Sequence, residues 1–283
     1  MDHAAAPVPV GGLLRVLGHE VRVDVRPGAD PALTPLLLLT GLGGNVEMWE
    51  PFRSDLAART GVATIAYDVP GTGESPPSAR PLPLWAHGAI AVGVLDAVGV
   101  GRADVLGLSW GGLLAQQVAA ADAFSAATFA EPRRVRRLVL ANTNYGFGSV
   151  PGVLEAWGEL ATPRRYSSTS ALASASDVLG GSGRPAPEHA AARVGRPPSP
   201  VGYLYQLLAL AGWTSLPVLP VLGQRALVLN GDDDRAVPLV NSRIMSRLLP
   251  AAELAVVRRG GHLMLFERTA EVVEVVAEFL TRR

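Results

Sequence analysis

The chain contains no cysteine. That absence excludes a disulfide framework, thiolate metal sites and a cysteine nucleophile. Net charge is absent too, because 25 basic and 25 acidic side chains cancel. A surface that grips nucleic acid or an anionic membrane carries an excess of Lys and Arg, so neither partner is expected. No uncharged apolar run reaches the ~20 residues that a spanning helix needs. The opening Met1-Asp-His-Ala-Ala-Ala-Pro7 has no basic segment and is broken by proline, so no signal peptide is expected. A cytoplasmic, soluble protein is the default expectation. What the chain does have is apolar material: 48% hydrophobic residues against 18% charged ones over 283 positions. That suffices for one large buried core, or one domain carrying an insertion.

The apolar material comes in strand-length runs. Leu13 to Leu17 and Glu20 to Val25 read as a hairpin around Gly18-His19, with Val21, Val23 and Val25 alternating against Arg22 and Asp24. Pro35 to Thr40, Val62 to Tyr67, Ala103 to Leu108, Arg136 to Ala141, Ala226 to Asn230 and Glu253 to Val257 are continuous runs, as strands covered on both faces would be. Helix-forming stretches separate them: Val46 to Thr60, Leu82 to Val98, Leu113 onward and Thr269 to Arg282. Ala121 to Glu131 reads as a helix end followed by a loop. The alternation predicts an α/β fold with a doubly wound, mostly parallel sheet. It stops near Asn142. From residue 145 to 222 Pro, Ser, Gly and Arg with scattered aromatics take over. The expected division is a core of residues 1–144 and 223–283 with a helical cap at 145–222.

One junction dominates the chemistry. Gly107-Leu-Ser-Trp-Gly111 fits G-x-S-x-G, with an apolar strand before it and a helix-forming run after it. Such a turn raises the Ser109 hydroxyl above the sheet at the positive end of a helix, and glycine on each side removes the Cβ atoms that would clash. The Trp110 backbone N–H is placed to bind an oxyanion. Thr40-Gly-Leu-Gly-Gly-Asn45 also follows a strand. It lacks the Lys-Ser/Thr of a phosphate-binding loop, so its expected role is the second oxyanion donor, the N–H of Leu42.

A serine nucleophile needs a base and an acid. Gly231-Asp-Asp-Asp234 ends the strand Ala226 to Asn230, and Asp234 sits deepest in that loop, four residues before Pro238. Asp232 and Asp233 are read as turn and cap residues. Three adjacent aspartates make a poor metal site, since hard-metal loops need spaced oxygens. His262 follows the last strand in Gly260-Gly261-His262. The order Ser109, Asp234, His262 matches nucleophile, acid and base of the α/β-hydrolase triad. No metal and no cofactor is needed. His19 and His87 receive no catalytic role.

With those residues in place, the chain resembles the intracellular medium-chain-length polyhydroxyalkanoate depolymerases of the α/β-hydrolase superfamily. The similarity runs roughly from Pro35 to Leu280. Its general parts are Gly107-Leu-Ser-Trp-Gly-Gly-Leu-Leu-Ala-Gln-Gln117 and Gly231-Asp-Asp-Asp234 with Pro238. Its specific parts lie in the cap, in Pro163-Arg-Arg-Tyr166 and in Gly202-Tyr-Leu-Tyr-Gln-Leu-Leu-Ala-Leu-Ala-Gly-Trp-Thr-Ser215. Ala121 to Glu131 is longer than in that family, and Arg258-Arg259 stands where acidic residues precede its Gly-His. The resemblance implies hydrolysis of poly(3-hydroxyalkanoate) esters at the surface of cytoplasmic storage granules, with its triad on Ser109, Asp234 and His262. A small-molecule carboxylesterase, a lactonase, a cofactor-free perhydrolase and a binding protein without turnover are the alternatives that fold and residue types leave open.

The cap contains Val201 to Trp213, in which Gln206 is the one strongly polar side chain. A helix apolar all round is buried or faces something apolar. The expectation is one helix with Tyr203, Tyr205, Leu208 and Trp213 lining the entrance as a wall for alkyl groups.

Overall fold

The computed structural model describes residues 11–183 and 187–282. Its strands are β1 (Gly12–Val16), β2 (His19–Arg26), β3 (Leu36–Leu39), β4 (Thr64–Tyr67), β5 (Ala103–Leu108), β6 (Val135–Ala141), β7 (Arg225–Gly231) and β8 (Ala252–Val257). They form one sheet in the order β1-β2-β4-β3-β5-β6-β7-β8. The hairpin β1–β2 joins β4 antiparallel, and the other six strands run parallel. All four leucines of β3 and all six residues of β5 are buried. Helices therefore cover both faces of these strands, which is why they read as unbroken apolar runs. Strand order reverses between β3 and β5: the chain steps from β3 outward to β4, then crosses to β5. In such sheets the crevice outside the carboxyl ends of the strands at the reversal is where ligands bind. The loop 40–45 and Ser109 emerge at that point.

The helices are α1 (Phe52–Thr60), α2 (Leu84–Ala97), α3 (Trp110–Phe129), α4 (Leu154–Leu160), α5 (Thr169–Leu179), α6 (Pro187–Gly195), α7 (Pro200–Leu208), α8 (Leu239–Leu248), α9 (Met264–Glu267) and α10 (Thr269–Thr281). Two of the helix expectations for the core are corrected. The stretch Val46 to Thr60 is a 3₁₀ turn, Val46–Trp49, capped by the Asn45 side chain, and then α1. Pro51 lacks the N–H that a continuous ladder needs. Conversely, α3 runs on to Phe129, through most of the stretch Ala121 to Glu131 that reads as a helix end and a loop, because its alanine-rich sequence keeps high helix propensity.

Helices α4 to α7 lie between β6 and β7. The segment that carries them leaves and re-enters the core through a paired neck. The Phe147 N–H donates to Trp213 O at 2.7 Å and the Ser215 N–H to Tyr145 O at 2.9 Å. Ser168 and Ser199 cap α5 and α7 by accepting from the Ala171 and Gly202 N–H groups, which starts two of the helices of this insert. Ala156, Leu172, Ala175 and Leu179 of this insert pack with Ala236, Val237 and Leu263 from the loops after β7 and β8. The single helix expected over Val201 to Trp213 ends at Leu208, and the chain turns through Gly212 at φ +69°. No helix among the described residues is long and apolar enough to cross a membrane. Met1 to Pro7, on which the signal-peptide expectation rests, lie outside the described residues.

Candidate active site

Ser109 stands between β5 and α3 at φ 53° and ψ −116°, a conformation that L-residues avoid. The neighbourhood enforces it. A Cβ on Gly107 would sit 2.2 Å from Gly111 O, and one on Gly111 would sit 2.0 Å from Leu39 O. Only glycine lets the helix start this close to the sheet. The Ser109 N–H donates to Ala141 O at 2.9 Å, and the Thr143 hydroxyl donates to Ser109 O at 2.8 Å. The strained turn is thus held from β6.

The Ser109 hydroxyl lies 3.0 Å from His262 Nε2. On the far side of the ring, His262 Nδ1 lies 3.1 Å and 2.9 Å from the two carboxylate oxygens of Asp234. With Nδ1 as donor to the carboxylate, Nε2 is the acceptor that faces the serine hydroxyl. Asp234 is itself fixed. Its Oδ1 accepts from the Ala236 and Val237 N–H groups at 2.9 and 2.8 Å, and its Oδ2 accepts from Asn142 Nδ2 at 2.7 Å. Asp232 and Asp233 hold other loops: Asp232 accepts from the Arg259 N–H, and Asp233 from the Gly181 N–H at 2.8 Å.

Two cavities meet at Ser109, Leu42 and Leu160. The larger, about 170 Å³, is walled by Leu113, Trp157, Leu207, Leu210 and Val237 and is almost wholly apolar. The smaller, about 30 Å³, runs past His262 toward Arg165 and Arg193. Both guanidinium groups are buried and lie 4.9 Å from the Tyr166 ring centre. Among the described residues neither has an ion-pairing carboxylate. Leu42 and Trp110, the expected oxyanion donors, both border Ser109 in the apolar cavity. As the first residue of α3, Trp110 has an N–H with no partner inside the helix.

The four aromatic and aliphatic residues expected at the entrance are elsewhere. Tyr203 is buried, and its hydroxyl donates to Leu160 O at 2.6 Å. Trp213 donates through Nε1 to Gln117 Oε1 at 2.8 Å. Leu208 is 47% exposed. Neither these three nor Tyr205 lines either cavity. The wall comes from Leu207 and Leu210 instead. A helix apolar on every side carries no periodic signal for which face is inward, so phase was decided by packing. Asn142 and Arg193 carry no side-chain signal in the sequence, and Arg165, Tyr166 and Gln206 stand out there without any sign of what they hold. Pro163-Arg-Arg-Tyr166 was conspicuous, but nothing local shows that its side chains turn inward.

Comparison with known proteins gives the family of the chain. A family profile described as alpha/beta hydrolase fold matches residues 34–269. The chain belongs to the α/β-hydrolase family. It is 38% identical over 266 residues to a poly(3-hydroxyalkanoate) depolymerase of Ectopseudomonas oleovorans, covering 93% of this chain and 89% of that one. It is 32% identical to a 2-hydroxymuconate semialdehyde hydrolase of Pseudomonas putida, over 67% of this chain and 66% of the other. Among solved structures, the enol-lactonase of Burkholderia xenovorans superposes with a TM-score of 0.77 at 24% identity, covering 96% of this chain and all (100%) of the other. An esterase of Exiguobacterium antarcticum gives 0.76 at 19% identity, covering 95% and 99%. This α/β-hydrolase is therefore a hydrolase by fold and by relationship, with His262 within hydrogen-bonding distance of both the elbow serine and Asp234.

Proposed function

We propose that the protein is a serine esterase that cleaves poly(3-hydroxyalkanoate) esters bearing medium-length alkyl side chains. The observation that carries this reading is the Ser109–His262–Asp234 relay opening onto an apolar cavity of about 170 Å³. Ser109 Oγ attacks the ester carbonyl carbon while His262 Nε2 takes its proton. The carbonyl oxygen gains the negative charge and is held by the Leu42 and Trp110 N–H groups. The carbon–oxygen bond to the leaving alcohol breaks, and His262 returns the proton to that alcohol. Water then attacks the acyl-enzyme, again through His262, releasing the hydroxy acid and Ser109. Asp234 keeps the proton on Nδ1 and stabilises the imidazolium. No metal or cofactor enters the scheme.

The apolar cavity suits the alkyl side chain, each buried CH₂ contributing ~0.8 kcal/mol. The relationship to a poly(3-hydroxyalkanoate) depolymerase supports the choice of polymer. In this reading the insert 145–222 is a cap over the site, and the protein works in the cytoplasm at the surface of storage granules. A soluble small ester or lactone is the competing substrate, supported by the insert residues Trp157, Leu160, Leu207 and Leu210 that wall the cavity at Ser109. Ser109→Ala should lower kcat on a p-nitrophenyl alkanoate by ~10⁴-fold or more. Activity within tenfold of the parent would overturn the nucleophile. Turnover of an emulsified medium-chain polyester against that of short soluble esters separates polymer from small substrate.

A further inference from the structure

The loop that offers the Leu42 N–H is held from the insert. The peptide unit joining Leu42 to Gly43 is gripped at both poles. Its carbonyl, Leu42 O, accepts from Arg165 Nη2 at 2.9 Å and from the Tyr166 hydroxyl at 2.6 Å. Its N–H, on Gly43, donates to Gln206 Oε1 at 2.8 Å. All three partners come from the insert and are nearly fully buried. Two of the three are braced in turn: Arg165 donates to the Tyr203 hydroxyl at 2.6 Å, and Arg193 donates to the Tyr166 hydroxyl at 3.2 Å. The residue carrying Gln206 also touches the other side of the site, since Trp110 Nε1 donates to Gln206 O at 2.9 Å.

This grip has a consequence for the oxyanion. Gly41, Gly43 and Gly44 make the loop intrinsically loose, and glycine loses more freedom on ordering than any other residue. The peptide plane before Leu42 is fixed within the loop, by the Gly44 N–H donating to Gly41 O at 2.9 Å. The plane after it is fixed by the insert. Leu42 is thus clamped between two set planes, and its own N–H points in one direction. An oxyanion hole stabilises charge because its donors are oriented before the charge develops.

Building on the esterase reading above, we infer that the insert completes the oxyanion hole: Gln206, Tyr166 and Arg165 are positioning residues that orient the Leu42 N–H. The cap is then part of the rate-determining machinery as well as a cover. Lifting it off the core releases the Leu42–Gly43 peptide unit and disables the hole.

The test uses the full chain and a soluble p-nitrophenyl ester. Tyr166→Phe deletes one hydroxyl, and Gln206→Leu deletes the acceptor for the Gly43 N–H. Removing an oxyanion donor outright costs ~10²–10³ in kcat, so misorienting one should cost about 10–100-fold in Gln206→Leu and about 3–10-fold in Tyr166→Phe. KM should stay within about threefold. Affinity for an alkylboronic acid, whose tetrahedral adduct on Ser109 fills the hole, should fall by a factor matching the loss in kcat. Gln206→Glu restores an acceptor and should recover most of the loss. A purely structural role would lower Tm and leave kcat and boronate affinity of the folded protein alone. If both Tyr166→Phe and Gln206→Leu fold and keep kcat within twofold, the inference is wrong. Should Gln206→Leu not fold, Tyr166→Phe decides on its own. Ser109→Ala in the same assay separates the two levels. If it abolishes turnover while the positioning variants change nothing, the clamp fails and the esterase stands. If it retains turnover, both fail.

Discussion

Asn142 Nδ2 donates to Asp234 Oδ2 at 2.7 Å and also reaches Gly261 O at 3.2 Å. One buried amide at the end of β6 therefore ties the loop of the aspartate to the loop of the histidine. Asn142 itself is held at φ 44°, where asparagine is among the tolerated residues. Hydrogen bonds to a charged partner contribute ~1.5–3 kcal/mol, so Asn142→Ala should lower kcat by about 10–100-fold through a misplaced Asp234. Steady-state kinetics on a soluble ester check this. KM close to the parent value is expected, because Asn142 borders neither cavity.

The three adjacent aspartates should separate sharply. Asp234 carries the contacts to His262, whereas Asp232 and Asp233 accept from Arg259 and Gly181. Asp234→Asn should cost on the order of 10⁴ in kcat by favouring the wrong histidine tautomer. Asp232→Asn and Asp233→Asn should stay within about tenfold, since each keeps an oxygen able to accept from its backbone N–H. A larger loss in Asp233→Asn than in Asp234→Asn would contradict the assignment.

Chain-length selectivity should follow the residues that wall the apolar cavity. Leu210→Trp fills space that an alkyl chain would occupy. It should lower the C8-to-C4 ratio of kcat/KM by about tenfold or more, because a methylene in such a pocket discriminates by 10-fold or better. Leu208→Ala, on the exposed side of α7, should leave the ratio unchanged. Equal effects of the two substitutions would show that the insert lies differently in solution.

Acid should destabilise the protein through His87. Its ring is buried edge-on against Trp110 at 5.3 Å between centroids, with neither nitrogen partnered. Burial pushes its pKa down to about 4. The unfolded chain titrates near 6.5, so between these values it binds more protons than the native state. Stability is fully present above pH 6.5 and is lost as pH falls toward 4, a loss of about 2 kcal/mol at pH 5 from this group. His87→Leu cannot take up that proton. Its Tm should drop less than the parent's between pH 7.5 and pH 5, as measured by thermal unfolding. His189, buried against Phe266 with its pKa also lowered by desolvation, pulls in the same direction in both proteins.

What could be read along the chain was whatever depends on near neighbours. The parallel strands show as unbroken apolar runs because helices cover both their faces. The serine turn shows because glycine is required where 2.0–2.2 Å separates a would-be Cβ from backbone. Ser109, Asp234 and His262 are recognisable from their order and from the strand ends they follow. The remainder depended on how distant segments meet. Asn142 reaches a carboxylate 92 positions away, and Gly43 meets Gln206 across 163. Which side of α7 faces inward cannot be had from a pattern that is apolar all round. It follows from where the neck at Gly146 and Thr214 seats the insert, and from the turn at Gly212 that ends the helical run early. Short-range sterics and periodicity are written locally. The hydrogen bonds on the Leu42–Gly43 peptide, beside Ser109, come from Arg165, Tyr166 and Gln206, which only the packing of the insert on the sheet brings there.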